Sequence, residues 1–331
     1  MSGPVIELSD VSRAFTVTSR VGLRRTRREV RAVDGLSFTV QPGEVMGYIG
    51  PNGAGKSTTI KMLTGILVPS SGSIRVAGVD PSRHRLKLAK RIGVVFGQRT
   101  TLWWDLPLKD SFAVLQKMYD VPPARHRENL ATFVELLDLG DLLDVPVRQL
   151  SLGQRMRGDI AAALLHDPEI VYLDEPTIGL DVISKSRLRE FLARITADRG
   201  TTIILTTHDL DDIEALCTRV MVIDHGHQIF DGTLPQLKSS QSAPRTLVVD
   251  LATPMPPINI PGATVVKVEG PRQHLTFPTT TSAAPLIAHL AANYPLADLT
   301  VTEPTIESVI TQLYTPRRDQ QPSKQTRPQA P

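Results

Sequence analysis

Residues 50–58 read GPNGAGKST. The stretch fits G-x-x-x-x-G-K-[ST], and its flanks decide how it is read. Ahead of it, EVMGYIG is a short apolar run of strand type; behind it, KSTTIKMLTGIL has the spacing of a helix. Strand, glycine-rich loop and helix form the context in which backbone N–H groups close around phosphate oxygens, with the helix N-terminus favouring the negative charge. The spacing predicts a cradle from Gly50, Pro51, Asn52, Gly53, Ala54 and Gly55. Lys56 would reach the β- and γ-phosphates, Ser57 would ligate Mg²⁺, and Thr58 would cap the helix or hold a phosphate. A plain turn before a helix has no need of Lys-Ser at that offset.

A second stretch completes the site. EIVYLDE, residues 169–175, is a continuous apolar strand of the kind buried in a parallel sheet. It delivers Asp174 to its C-terminal end, where open α/β sheets bind ligands. Asp174 would hold Mg²⁺ through water, and the adjacent Glu175 would polarise the attacking water. Phosphoryl transfer needs a positioned nucleophile more than covalent chemistry. A strand ending in Asp-Glu is common by itself. Paired with the upstream loop, it points to a nucleotide triphosphatase using ATP and Mg²⁺.

Around these motifs the 331-residue chain is 41% hydrophobic, 21% charged and only 5% aromatic, a globular composition whose core must be aliphatic. Its length suits one large domain and a small one. The single cysteine, Cys217, excludes a disulfide framework and a four-cysteine zinc site. The N-terminal stretch shows no secretory pattern, and no apolar run approaches the ~20 residues of a membrane helix. Net charge is +3 but uneven. Residues 20–31, RVGLRRTRREVR, set six arginines against Glu29, the tail at 315–331 carries four cations against Asp319, and the rest of the chain is net negative. Charge in two patches rather than over a face argues against a nucleic-acid partner.

The pattern along the chain is mixed. VIELSDVSRAFTV and AVDGLSFTV read as strands on either side of the arginine segment, which is expected to be a solvated loop or a segment lying near anionic lipid or a partner. RIGVVFGQ ends a strand at Gln98, and residues 105–166 turn helical. TTIILTTHD is another buried strand, and VMVIDHGHQIFDG a hairpin. His225 and His227 flank its turn and lack a ligand set, so they are expected to be surface residues. After KSSQSAP near residue 240, RTLVVDLA, ATVVKVEG and QHLTFP read as strands, with APLIAHLAAN and TIESVITQLY as helices. Residues 315–331 are expected to be disordered.

Three further stretches narrow the reading: LSLGQ at 150–154, TTHD at 206–209, and Gln98 at the end of its strand. Order and spacing of all five motifs, over about residues 5–238, resemble the nucleotide-binding subunit of ABC transporters. The branch it looks most like is the NatA-like drug-export group, which pairs with ABC-2-type permeases. The resemblance implies an α/β cassette with a mixed sheet core, an antiparallel β subdomain and a helical subdomain (about 99–166), within residues 1–240. A small α+β accessory domain (245–314) and the tail (315–331) follow. It implies that ATP is held between two cassettes, two copies of this chain in head-to-tail arrangement, so that Ser151 and Gly153 of one copy face the γ-phosphate held by the other. Leu152 departs from the glycine usual there. His208 matches the switch histidine beside Glu175, and Gln98 the residue that touches Mg²⁺ or the attacking water. Asp181 matches the loop linking the two sites, and Phe15 the aromatic stacked on adenine.

A chain of this family acts as a peripheral subunit on the cytoplasmic face of the cell membrane and drives a separate permease. The resemblance suggests export of a drug-like or hydrophobic compound. The alternative class is a soluble ABC ATPase of DNA repair, translation or regulation, but such chains usually carry two cassettes, long coiled coils or zinc modules, and none is present here. Trp103 and Trp104, the only two tryptophans, follow Gln98. They are expected either to form the permease dock or to fill the core of the helical subdomain.

Overall fold

The computed structural model describes residues 3–21, 24–97, 99–207, 209–240, 244–278, 280–303 and 306–314. The chain divides into two compact units, Met1–Leu234 and Pro235–Pro331. Gln98, His208 and residues 315–331 lie outside the described residues.

The first unit opens with a long hairpin, β1 (Ile6–Val21) and β2 (Arg24–Val40), followed by β3 (Val45–Ile49) and α1 (Lys56–Leu63). Next come β4 (Ser71–Val76), α2 (Arg85–Ala89) and β5 (Ile92–Phe96). Helices α3 (Leu108–Met118), α4 (Pro123–Leu136) and α5 (Leu152–Leu164) then lead to β6 (Ile170–Asp174). The unit continues through α6 (Val182–Arg199), β7 (Thr202–Thr206), α7 (Leu210–Leu216), β8 (Arg219–Asp224) and β9 (His227–Thr233), and α8 (Leu234–Ser240) starts at its last residue.

Two sheets organise this unit. One is antiparallel, in the order β2-β1-β4; the other has six strands in the order β5-β6-β7-β3-β8-β9. The first five of the six are parallel and β9 turns back antiparallel to β8. The central strands carry no alternation because helices or the other sheet cover both faces: Ile170, Val171, Tyr172 and Leu173 are all fully buried. Residues from both sheets, among them Ile6, Val40, Met46, Tyr172 and Met221, share one apolar core. All parallel strands end on the same edge, so the loops after β3, β5, β6 and β7 are neighbours.

The arginine segment corrects the loop expectation. The β1–β2 ladder continues past Phe15↔Val30 through Val17↔Arg28 and Thr18↔Arg27 to Val21↔Arg24. The backbone pairing, not side-chain character, carries the ribbon outward. Trp103 and Trp104 are also not core residues, being 36% and 50% exposed. The helical region is filled instead by Leu108, Phe112 and Phe133, with Phe133 edge-on to Phe191 of α6 at 5.6 Å.

The second unit pairs β10 (Arg245–Leu251), β11 (Thr264–Glu269), β12 (Arg272–Phe277) and β13 (Leu296–Thr302) in the antiparallel order β11-β12-β10-β13. Helices α9 (Ala283–Asn293) and α10 (Ile306–Tyr314) complete it. Leu247, Val249, Leu275 and Phe277 face a core of its own with Leu286 and Leu290 of α9. Among its described residues the buried amide of Gln273 accepts from Ile258 N at 2.8 Å and donates to Met255 O and Pro256 O, so burial leaves no polar group of that side chain without a partner.

Candidate functional site

The loop after β3 is fixed from beneath. Tyr48 is buried in β3 and donates to Thr59 Oγ1 at 3.1 Å; Thr59 in turn donates to Gly55 O at 3.1 Å. This chain of two bonds ties the start of α1 to the sheet. Gly55 has φ 108°, and a Cβ there would lie 2.3 Å from Ala32 O, so only glycine fits. Gly50 is pressed on β8, where a Cβ would lie 2.6 Å from Ile223 O. Gly53, in contrast, faces open space.

A cavity of ≈ 560 Å³ opens above the loop. Pro51, Asn52, Gly53, Gly55, Lys56, Ser57 and Thr58 line one side, and Asp174 and Glu175 another. Gly50 and Ala54 shape it from behind: Gly50 O accepts from Lys56 Nζ, and Ala54 O from Gly226 N at 3.0 Å. The two motifs, about 120 residues apart in sequence, thus converge because β7 alone separates β3 from β6 in the sheet. Thr206, at the end of β7, donates to Asp174 Oδ1. Glu175 N donates to Thr206 O at 2.9 Å, and Glu175 itself takes a left-handed φ of 56°. A non-glycine residue held there is strained, as residues at functional sites often are.

Burial lowers the Lys56 pKa below the usual lysine range, while Glu175 and Asp174 act in the opposite direction. Lys61 and Arg99 add two more cations to the lining. Cations and backbone N–H groups on one side with two carboxylates on the other suit a polyphosphate carrying a hard divalent cation. The oxygen donors Ser57 and Asp174 fit Mg²⁺.

Sequence reasoning missed Ala32, Lys61, Ile66, Phe96, Gly97, Arg99 and Ile178, which also line the cavity. Adjacency to Gln98 pointed to Phe96, Gly97 and Arg99. Nothing in the motif pointed to Ala32 or Ile66, which arrive from other strands and turns. Phe15 is not in the lining; the Arg13 guanidinium lies 4.8 Å from its ring centroid.

Ser151, Gly153 and Asp181 lie outside this cavity but together. Ser151 caps α5 in a complete capping box with Gln154, so Leu152 leaves the helix start intact. Leu152 packs over Gly179, where a Cβ would meet its Cδ2 at 2.6 Å, and a Cβ on Gly153 would lie 3.0 Å from Gly179 O. Asp181 caps α6 by accepting from Ser184 N at 2.8 Å. His225 and His227 are exposed at the β8–β9 turn.

The ABC transporter family profile matches residues 33–178. NatA, an ABC transporter ATP-binding protein of Bacillus subtilis, is 34% identical over 237 residues, 72% of this chain and 93% of that protein. The chain belongs to the ABC transporter family. It is an ATP-binding subunit with ATPase activity. The daunorubicin/doxorubicin resistance ATP-binding protein DrrA of Streptomyces peucetius is 41% identical over 219 residues, 66% of each chain. Nod factor export ATP-binding protein I of Ralstonia nicotianae is 38% identical, covering 65% of this chain and 67% of that protein. The chain thus spans about two thirds of the length of these two relatives. Among solved structures, cbiO1 from Clostridium perfringens, part of the ABC transporter complex cbiONQ, has TM-score 0.59 at 28% identity, covering 72% of this chain and 92% of that one. The dimeric post-hydrolysis structure of the cassette MJ0796 with ADP and Pi has TM-score 0.58 at 22% identity, covering 69% and 98%, and shows the shared fold. No helix among the described residues is long and apolar enough to cross a membrane.

Proposed function

We propose that the chain binds MgATP in the cavity above α1 and hydrolyses it to drive a separate ABC-2-type permease that exports a drug-like or hydrophobic compound. The observation that carries this is the convergence of the GPNGAGKST loop and the Asp174–Glu175 pair on one cavity at the C-terminal edge of the parallel sheet. Loop N–H groups and Lys56 hold the phosphates. Ser57, Asp174 and Gln98 would hold Mg²⁺, which would neutralise phosphate charge when bound. Glu175, oriented by His208, takes the proton of the attacking water.

The site is completed by a second copy. Ser151 and Gly153, at the capped N-terminus of α5, would meet a phosphate presented by the other subunit. Asp181, on the loop that Leu152 packs against, links the two sites. ATP bridging two copies favours the closed dimer, and hydrolysis releases it. The relatives named for drug resistance and Nod factor export support an exporter, and the exposed Trp103 and Trp104 support a dock for the permease beside the Gln98 loop.

The test is ATP binding by calorimetry together with turnover. Lys56→Ala loses nucleotide affinity, whereas Glu175→Gln keeps it, stops turnover and accumulates as dimer. Normal steady-state hydrolysis by Glu175→Gln would remove Glu175 from its role. Failure to co-purify with an integral membrane protein encoded beside it would remove the permease.

A further inference from the structure

We infer that the outer part of the β1–β2 ribbon is a binding surface for anionic lipid head groups. The inference rests on the ribbon alone and not on the ATP site. β4 pairs with β1 only from Ile6 to Ser12, so beyond Ser12 the sheet has two strands. The ladder still continues to Val21↔Arg24. Every residue at 16–18 and 27–31 is exposed, on both faces. A two-stranded ribbon with water on both sides is marginal by itself, and a ribbon kept at this length is explained by a surface that covers it.

Charge selects the surface. Six of the twelve residues at 20–31 are arginine, opposed by Glu29 alone. Arg31 is engaged by Glu29 at 3.6 Å and Asp34 at 3.2 Å, while Arg27 and Arg28 form no ion pair among the described residues. Register adds a second requirement. Val17 pairs with Arg28 and Phe15 with Val30, so Val17, Arg28 and Val30 share one face; Val17 is 50% and Val30 41% exposed. Thr18, Arg27 and Glu29 take the other face. An exposed face that mixes arginine with β-branched apolar side chains matches the boundary between phosphate head groups and acyl chains. A nucleic acid would use the charge but not the valines. The apolar content therefore favours lipid.

The experiment is vesicle flotation of the full chain without nucleotide. The chain is expected to float with phosphatidylglycerol–phosphatidylcholine vesicles, not with pure phosphatidylcholine, and to be released by high salt. Replacing Arg24, Arg25, Arg27 and Arg28 together by Ser is expected to weaken flotation at least about tenfold, while the four-Lys replacement retains it and both variants hydrolyse ATP as the parent does. Equal flotation with neutral vesicles, no flotation with anionic ones, or unchanged flotation of the Ser variant overturns the proposal. Capture of the chain by duplex DNA in competition with anionic vesicles overturns it in favour of a nucleic-acid surface. Val17→Ser separates the apolar part: it is expected to weaken flotation without altering its salt dependence, and an unchanged affinity removes the valines from the surface.

Discussion

Thr177 donates its hydroxyl to the Asp212 carboxylate at 2.7 Å, and both side chains are buried. Thr207 donates to the same oxygen at 3.3 Å, and Arg189 Nε donates to the other at 2.7 Å. One carboxylate on α7 therefore holds the turn after Glu175, the residue before His208, and helix α6. Asp212→Ala would leave Arg189, itself a quarter exposed, with only Asp209 at 3.8 Å and would release both loops. We expect a loss of about 1–3 kcal/mol in denaturant unfolding, with turnover falling too. A loss below about 1 kcal/mol would mean that the network is not structural.

Gly55 and Gly53 offer a matched pair. Both have positive φ, but a Cβ on Gly55 meets Ala32 O while one on Gly53 meets nothing within 4 Å. Gly55→Ala is expected to lower stability by roughly 2 kcal/mol or more through the forced backbone contact, and to abolish nucleotide binding. Gly53→Ala should cost only the strain of its dihedral, about 1–2 kcal/mol. Thermal unfolding of the two variants decides it, and indistinguishable transitions would refute the steric difference.

Glu175 holds a left-handed backbone, which glycine adopts without strain. Glu175→Gly is therefore expected to keep stability or raise it by about 1 kcal/mol while turnover drops about 10²–10⁴-fold. Measured together on one sample, a variant that loses stability in proportion to activity would show that the backbone there is unstrained.

Trp103 and Trp104 are expected to be removable. Arg155 lies 5.3 Å from the Trp104 ring centroid, yet both indoles remain accessible. Alanine at either position should shift stability by no more than about 1 kcal/mol and should weaken capture of the permease. A cooperative loss of several kcal/mol would return them to the core.

Cys217 supplies a pH test. Burial, with a smaller contribution from Asp212, pushes its thiol up to about 12, against about 8.5 in an unfolded chain. The folded form holds the proton more tightly, so this contribution is complete below about pH 8.5 and is lost as pH rises toward 12. Stability should decline across that window, with a shallower decline in Cys217→Ala. Labelling by a thiol reagent at pH 8 should follow global unfolding; rapid labelling of the folded chain would contradict the burial.

The phosphate loop and the Asp174–Glu175 strand were legible because their chemistry is written in consecutive residues. The buried strands β6 and β7 were legible for the same reason, as unbroken apolar runs. The extension of β2 was not, since arginine has no preference for a strand and only the ladder with β1 reveals it. LADLTVT does not stand out as a strand because its alternation of leucine with aspartate and threonine is short, yet it forms β13 at a sheet edge. Ala32, Asp212 and Gln273 escape for a different reason. Their roles depend on which backbone or carboxylate the fold brings to them, and one sequence contains no record of that.

The strand order has a consequence for synthesis. β3 carries the phosphate loop but pairs only with β7 and β8, whose last residue is Asp224. At about 5–20 residues per second, roughly 10–35 s pass between the emergence of Ile49 and that of Asp224. During that interval the β1–β2–β4 sheet can close on itself, whereas β3 has no neighbour until β7 emerges and only one until β8 does. The strand that carries the phosphate loop is therefore among the last of the sheet to gain both its neighbours, although it is the first of the sheet to be made.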